Sequence, residues 1–211
     1  GSDSFTFVVS DGELADTASV TLTITPINDV PNLGVVDNIF FEEDGYSNII
    51  LTASDVDNEE LIYNIEGGIN IVSIIEDDQV IFSAPINFNG SESFTAIVSD
   101  GELSDSQSFT VTVTAINDPP VATSDLSAVT DEDQSIVVSL SGSDVDGDNL
   151  SFSLDSDTSS GSVSINGTFA TYTPNQDFNG SDSFTFTVSD GELTDTASVT
   201  LTITPVNDAP V

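Results

Sequence analysis

Between residues 183 and 204 apolar and polar positions alternate almost without a break. Phe184, Phe186 and Val188 are separated by Thr185 and Thr187; after a turn, Val199, Leu201 and Ile203 are separated by Thr200 and Thr202. A period of two puts every second side chain on one face of an extended strand, so the pattern predicts half-buried antiparallel strands with a threonine face outward. Read the same way, residues 119–211 hold seven strands, near 121–129, 135–141, 150–154, 161–165, 168–173, 183–189 and 196–204. Asn166-Gly167 is a hairpin-turn signal between the fourth and fifth. No stretch has the period of a long amphipathic helix. Seven short strands in about ninety residues predict a β-sandwich.

The pattern recurs along the chain. SFTFVVSDGELADTASVTLTIT (4–25) and SFTFTVSDGELTDTASVTLTIT (183–204) agree at 20 of 22 positions, and SFTAIVSDGELSDSQSFTVTVT (93–114) repeats the unit between them. Each copy runs into an NDxP linker: Asn28-Asp29-Val30-Pro31, Asn117-Asp118-Pro119-Pro120 and Asn207-Asp208-Ala209-Pro210, spaced by 89 and then 90 residues. A period this long means whole small domains in tandem. The expected organisation is residues 1–29 as the last two strands of a preceding, incomplete repeat, then complete repeats over 30–118 and 119–211. Two strands bury no core, so 1–29 are expected to be completed by an upstream segment or another chain. The fold class expected is all-β: tandem seven-stranded antiparallel sandwiches, end to end, with short linkers.

Charge changes the picture. The 211 residues include 37 acidic side chains and no Lys, Arg or His, for a formal net charge of −37. Such a composition on a polar chain would mean disorder, but 37% hydrophobic residues and thirteen Phe supply a core. Side-chain ion pairs are impossible, so gathered carboxylates need a metal ion or a proton. Nucleic acid and anionic membrane surfaces are poor partners for such a charge, and neither is expected. Cysteine is absent, so there is no disulfide framework. With no His or Cys there is no nucleophile relay, and with no Trp and three Tyr no aromatic-lined sugar cleft. The chain is not expected to be an enzyme.

Strand parity places the acids. If the first strand of a repeat runs from head to foot, the turns after strands one, three and five lie at the foot, and those after two, four and six at the head. The last strand then ends at the foot, and its linker leads to the next head. Glu42, Glu43 and Asp44, with Asn87, Asn89 and Glu92, fall at the foot of the second repeat. Asn117 and Asp118 are the linker; Asp144, Asp146, Asp148, Asp190 and Glu192 fall at the head of the third repeat. These are the oxygen donors that a hard cation such as Ca²⁺ requires, about six to eight per ion. The alternating aspartates of DVDGDNL (144–150) can aim at one ion, with Gly147 permitting the bend. At the earlier junction the corresponding residues are Asn28, Asp29, Asp55, Asp57, Asp100 and Glu102, with the third oxygen of the loop from Glu59 or from water and only Asp3 left of the lower turns. At the far end they are Asp131, Glu132, Asp133, Asp177, Asp182, Asn207 and Asp208. Asp, Asn and Gly are also ordinary turn formers, the alternative for any single turn. An EF-hand does not fit 144–150: Gly147 is fourth rather than sixth, position twelve is Asp155, and the flanks are strands.

A sandwich repeat with an acid in its first turn, a DxD after its second strand, a late Asp-Gly and a terminal NDxP resembles the cadherin repeat. The wording NGSDSFTFTVSDGELTD…ITPVNDAP is similar to the cadherin-like tandem repeats of large bacterial surface adhesins and secreted repeat proteins. On that resemblance Glu43 and Glu132 match the first-turn glutamate, Asp55/Asp57 and Asp144/Asp146 the DxD pair, Asp100 and Asp190 the later aspartate, and Asn117 and Asp118 the linker. Ala115 and Pro205 stand where the cadherin linker begins with Asp, which leaves one to three ions per junction. The resemblance implies an extracellular stalk whose repeats are joined to neighbouring repeats of the same chain through calcium, with like chains in a fibre as further partners. The alternative is that the repeats themselves adhere; an exposed apolar patch would favour it, and Ile69–Ile81 is the one candidate, expected instead to be a core strand pair. Asn89, Asn166 and Asn179 lie in N-G-S/T sequons that turn chemistry also explains.

Overall fold

A computed structural model describes residues 1–57 and 60–207. Two predicted oxygen donors, Glu59 and Asp208, lie outside the described residues. The described residues are all-β, without a helix, and the chain divides into two compact units, Gly1–Ala115 and Ile116–Val211.

The first unit opens with a hairpin, β1 (Ser2–Ser10) against β2 (Ala15–Thr23), paired without a slip from Ser2↔Thr23 to Ser10↔Ala15. Its apolar residues are largely exposed: Phe5 is 53% accessible, whereas its counterpart Phe184 in the second unit is 1%. Then come β3 (Asn32–Leu33), β4 (Ile39–Glu42), β5 (Tyr46–Ile50), β6 (Ala53–Ser54), β7 (Ile62–Gly67), β8 (Val72–Glu76), β9 (Gln79–Ser83), β10 (Gly90–Ser99) and β11 (Ser104–Thr114). One sheet has the order β4-β11-β10-β7 and the other β5-β9-β8, with β3-β6 a short pair. Val80, Phe82, Phe94, Ala96, Val98 and Val111 fill the space between the sheets. Phe82 meets Phe94 and Phe109 edge to face, with ring centroids 5.2 and 5.9 Å apart.

The second unit repeats this with β12 (Val121–Ala122), β13 (Leu126–Asp131), β14 (Ile136–Ser139), β15 (Gly142–Ser143), β16 (Ser151–Ser156), β17 (Gly161–Asn166), β18 (Phe169–Pro174), β19 (Gly180–Ser189) and β20 (Thr194–Thr204). Its sheets are β13-β20-β19-β16 and β14-β18-β17, with β12-β15 short. Phe184, Phe186, Val188, Val199, Leu201 and Ile203 are all buried, as the period of two requires.

Three details differ from the pattern reading. The expected first strand near 121–129 is two pieces with different partners: β12 pairs β15 antiparallel, while β13 pairs β20 in parallel from Leu126↔Val199 to Asp131↔Thr204. The crossing turns at Asp125, whose φ of +60° is a left-handed conformation that Asp tolerates better than most residues. The sandwiches are therefore not purely antiparallel. Between β17 and β18 the two loop residues are Gly167 and Thr168, because Asn166 still pairs with Phe169; glycine at φ +60° in the first loop position fits a type II′ turn. Ile69–Ile81 is only half core: Ile71 and Val80 are buried, while Ile69, Val72 and Ile74 are exposed.

Candidate metal centre

The head of the second unit gathers three segments that are far apart in sequence. In the loop after β15, Asp144 Oδ1 accepts the backbone N–H groups of Asp146, Gly147 and Asp148 at 2.9, 3.1 and 3.3 Å. Gly147, at φ +82°, lets the chain curl around that oxygen. The other oxygen, Asp144 Oδ2, is buried and accepts no hydrogen bond among the described residues. In the turn between β19 and β20, Asp190 Oδ1 accepts Glu192 and Leu193 N–H at 2.6 and 2.7 Å. These two bonds outweigh desolvation and hold the Asp190 carboxyl below its ordinary value, helped by the Asn117 carboxamide. The linker joins both loops: Asn117 Nδ2 donates to Asp190 Oδ2 at 3.0 Å, and Asp118 N–H to Asp146 Oδ2 at 2.8 Å.

The first unit builds the same cluster with different residues. Asn28 Nδ2 donates to Asp100 Oδ2 at 2.7 Å, Asp29 N–H to Asp57 Oδ2 at 2.8 Å, and Asp57 N–H to Asp55 Oδ1 at 2.7 Å. Asp100 Oδ1 caps its own turn through Glu102 and Leu103 N–H, and its carboxyl too is held low, chiefly by those bonds. Linker, DxD loop and Asp-Gly turn therefore meet at the head of each unit. Asp148 adds its N–H to Asp144, and its side chain is exposed.

The remaining predicted donors lie at the foot of each unit. Glu42 ends β4, paired with Thr114; the next residue, Glu43, is buried and donates its N–H to Thr114 O at 2.9 Å. In the second unit Glu132 is buried at the same place: its N–H reaches Thr204 O, and its carboxylate accepts Val206 N–H and Asn179 Nδ2. Asp44 and Asp133, both at φ +60°, each accept one backbone N–H, from Asn87 at 2.9 Å and Asp177 at 3.1 Å. Asn207 is described in the segment after β20.

Whether calcium suits the head cluster depends on its donors. Among the described residues no three carboxylates stand together as a ready metal set. Calcium, however, also takes carboxamide and backbone oxygens, which Asn117 and the linker carry. A buried carboxylate oxygen left without a donor costs on the order of 1–3 kcal/mol or more when charged. With no cationic side chain in the sequence, Asp144 Oδ2 can be neutralised only from outside the chain or by a proton. The donor set and this oxygen fit a hard cation.

Pattern reading missed a second class of carboxylate. Glu92, assigned to a turn at the foot, lies in β10 and faces the 68–71 loop. It accepts N–H from Ile69, Asn70 and Ile71 at 2.7–3.0 Å and the Asn70 carboxamide at 2.9 Å. Gly67 and Gly68, at φ +119° and +76°, turn those consecutive amides toward one point, an anion nest. Desolvation alone would raise the Glu92 carboxyl, but these donors outweigh it and hold it at about 2. Asp182, also expected among the foot donors, does this work in the second unit instead, binding Ser159, Ser160 and Ser183 N–H and the Tyr172 hydroxyl. Phe82 takes the place of Tyr172 beside the longer Glu92, and the recurrence of each pair at a spacing of ninety residues was the available signal. Asp105 and Asp195 tie Leu33 and Ala122 N–H to the last strand at 2.9 Å each.

The family described as bacterial Ig domain matches residues 28–114 and again 117–202. No curated protein matches the chain in sequence. Among solved structures, protocadherin gamma B2 extracellular cadherin domains 1–5 align over 99% of this chain and 46% of that one, with TM-score 0.56 at 17% identity. Human protocadherin-24 EC1-2 aligns over 85% of this chain and 99% of that one, with TM-score 0.56 at 18% identity. These two likenesses concern the fold. An endo-fucoidan hydrolase of glycoside hydrolase family 107 aligns at TM-score 0.37 and 19% identity, and the chain spans 34% of its length; a likeness that loose carries no argument.

Proposed function

The chain belongs to the bacterial Ig domain family, and on that footing we propose that it serves as a non-enzymatic spacer in an extracellular stalk or surface fibre, stiffened by calcium at the head of each repeat. The observation that carries this reading is Asp144: three backbone donors hold one oxygen in place, and the other is buried without a donor among the described residues, in a chain that has no cationic side chain. Asp144, Asp146, Asn117 and Asp118 would hold the ion at the second head, and Asp55, Asp57, Asn28 and Asp29 at the first. Calcium would supply the positive charge that these carboxylates lack. Because the linker shares hydrogen bonds with both loops of the cluster, an ion held there would fix the linker to the repeat it enters. Pro119 and Pro120 restrict the same segment.

The test is small-angle scattering of the chain in EGTA and in millimolar calcium, alongside Asp144→Asn/Asp146→Asn. The expected result is a longer, narrower particle in calcium for the parent and a smaller change for the variant, whose first head is intact. Equal dimensions in both solutions for the parent would refute the reading.

A further inference from the structure

We propose that the outer face of the β5-β9-β8 sheet in the first unit is a docking surface for a protein segment with an apolar centre and a cationic rim. Pairing sets this face out in rows: Tyr46, Ser83 and Val72; then Asn48, Ile81 and Ile74; then Ile50, Gln79 and Glu76. The intervening Val80 and Phe82 are buried, so the rows point away from the core. Tyr46 is 70% accessible, Ile50 65%, Ile74 55% and Val72 53%, and Ile81 lies between them half-buried. Together they expose apolar surface of the order of a few hundred Å², the size of the largest patch on an ordinary monomer, which is often functional.

The second unit is an internal control. The matching face of β14-β18-β17 has rows Val137, Thr171 and Ser164, then Ser139, Phe169 and Asn166. Two apolar side chains there stand among hydroxyls and a carboxamide, and the unit still closes a complete core. The sandwich does not need an apolar outer face, so the first unit's face is a property of that repeat alone.

Charge selects the occupant. Glu76, Asp77 and Asp78 form the rim at the β8–β9 turn, and Asp77 and Asp78 also border a separate groove of about 550 Å³ on the core side, lined by Leu61, Ile62, Tyr63 and Ile75. A second copy of the chain would bring only negative charge to that rim, since the sequence has no Lys, Arg or His. A partner with lysines or arginines around an apolar strand or loop is complementary in both respects. The surface lies within residues 46–83 and is independent of the calcium reading.

The probe is a synthetic strand peptide alternating Leu and Lys. Its controls are the Leu/Glu version and an oligolysine of equal charge. Binding is measured against the chain and against Ile74→Thr/Ile81→Thr, which installs the hydroxyl pattern of the second unit. A second variant, Tyr46→Thr, removes the far edge of the patch; all three positions face outward, and unfolding curves verify that each variant is folded. The expected result is salt-dependent binding of the Leu/Lys peptide, weakened at least about tenfold in either variant, with weak oligolysine binding that does not change. The proposal is overturned by equal Leu/Lys affinity for parent and variants, by equal binding of the Leu/Glu peptide, or by self-association of the parent that the variants abolish.

Discussion

Replacing Glu92 by Gln tests the nest between β7 and β8 directly. The substitution keeps the shape but leaves one acceptor oxygen, and turns an NH₂ group toward amides that are themselves donors. Glu92 accepts bonds from Ile69, Asn70 and Ile71 N–H and the Asn70 carboxamide. Hydrogen bonds to a charged partner contribute about 1.5–3 kcal/mol each when buried; this site is half-buried and one oxygen survives, so the expected loss at pH 7 is about 2–3 kcal/mol. Titration gives a second route to the magnitude. The carboxyl lies at about 2 in the fold against 4.5 ordinarily, which at about 1.4 kcal/mol per unit has an upper bound of about 3.5 kcal/mol, cut to about 2 by solvent screening. Because the folded value is depressed, this stabilisation is fully present above pH 4.5 and is lost as pH falls through about 2. Acid also relieves the self-repulsion of a chain at −37, an effect of opposite sign, so the informative quantity is parent minus variant. Residue-resolved NMR during urea unfolding gives each unit its own midpoint, with the second unit as internal reference. A loss under about 0.5 kcal/mol at pH 7, or a difference that does not shrink toward pH 2–3, would refute the reasoning.

Asp144→Asn keeps the oxygen that binds three amides and removes the charge on the buried one. Calcium affinity at the second head should fall at least about tenfold with the unit still folded, and isothermal titration would show it. Tyr172 is pushed up to about 12 by burial first, then by the Asp182 charge and its hydrogen bond, from 10.0 ordinarily. The raised value means that this stabilisation holds below pH 10 and is lost as pH climbs toward 12; Tyr172→Phe should flatten the alkaline limb of the second unit's stability curve. A Cβ on Gly161 would stand 2.4 Å from the Tyr172 ring and 2.6 Å from Thr173 O, so Gly161→Ala should cost about 1–3 kcal/mol by overpacking. Phe184→Ala should cost about 3–5 kcal/mol through the cavity it leaves, measured by the same unit-resolved unfolding.

Strand positions were legible because one face of each strand is buried: where Phe184 and Phe186 alternate with threonine, only one register places them inside. The split of the first strand was not legible, because Asp125 gives no stronger signal than any other loop aspartate, and its left-handed turn depends on β20 being in place to receive β13. The carboxylates divide in the same way. Asp144, Asp146 and Asp190 sit in loops whose glycines and alternating aspartates mark them locally. Glu92 and Asp182 stand beside Asn-Gly turn signals and so read as foot donors, whereas both lie inside strands and face a loop of their own unit. Their loop donors, Ile69–Ile71 and Ser159–Ser160, lie more than twenty residues away, a pairing that no local pattern encodes. Ile74 and Ile71 read alike in sequence, and only the pairing of β8 with β9 separates surface from core.

The parallel pairing of β13 with β20 determines how a repeat carries tension. A pull on the two ends of the second unit drags β13 toward its own start and β20 toward its own end. Parallel strands hauled in opposite directions are loaded in shear, so their backbone bonds resist together instead of parting one after another as at the end of a hairpin. Six residue pairs share that load in the second unit, Leu126–Asp131 against Val199–Thr204, but only four in the first, Ile39–Glu42 against Val111–Thr114. Under rising force the sandwich of the first unit yields before that of the second unit, and extends the chain while its neighbour stays folded.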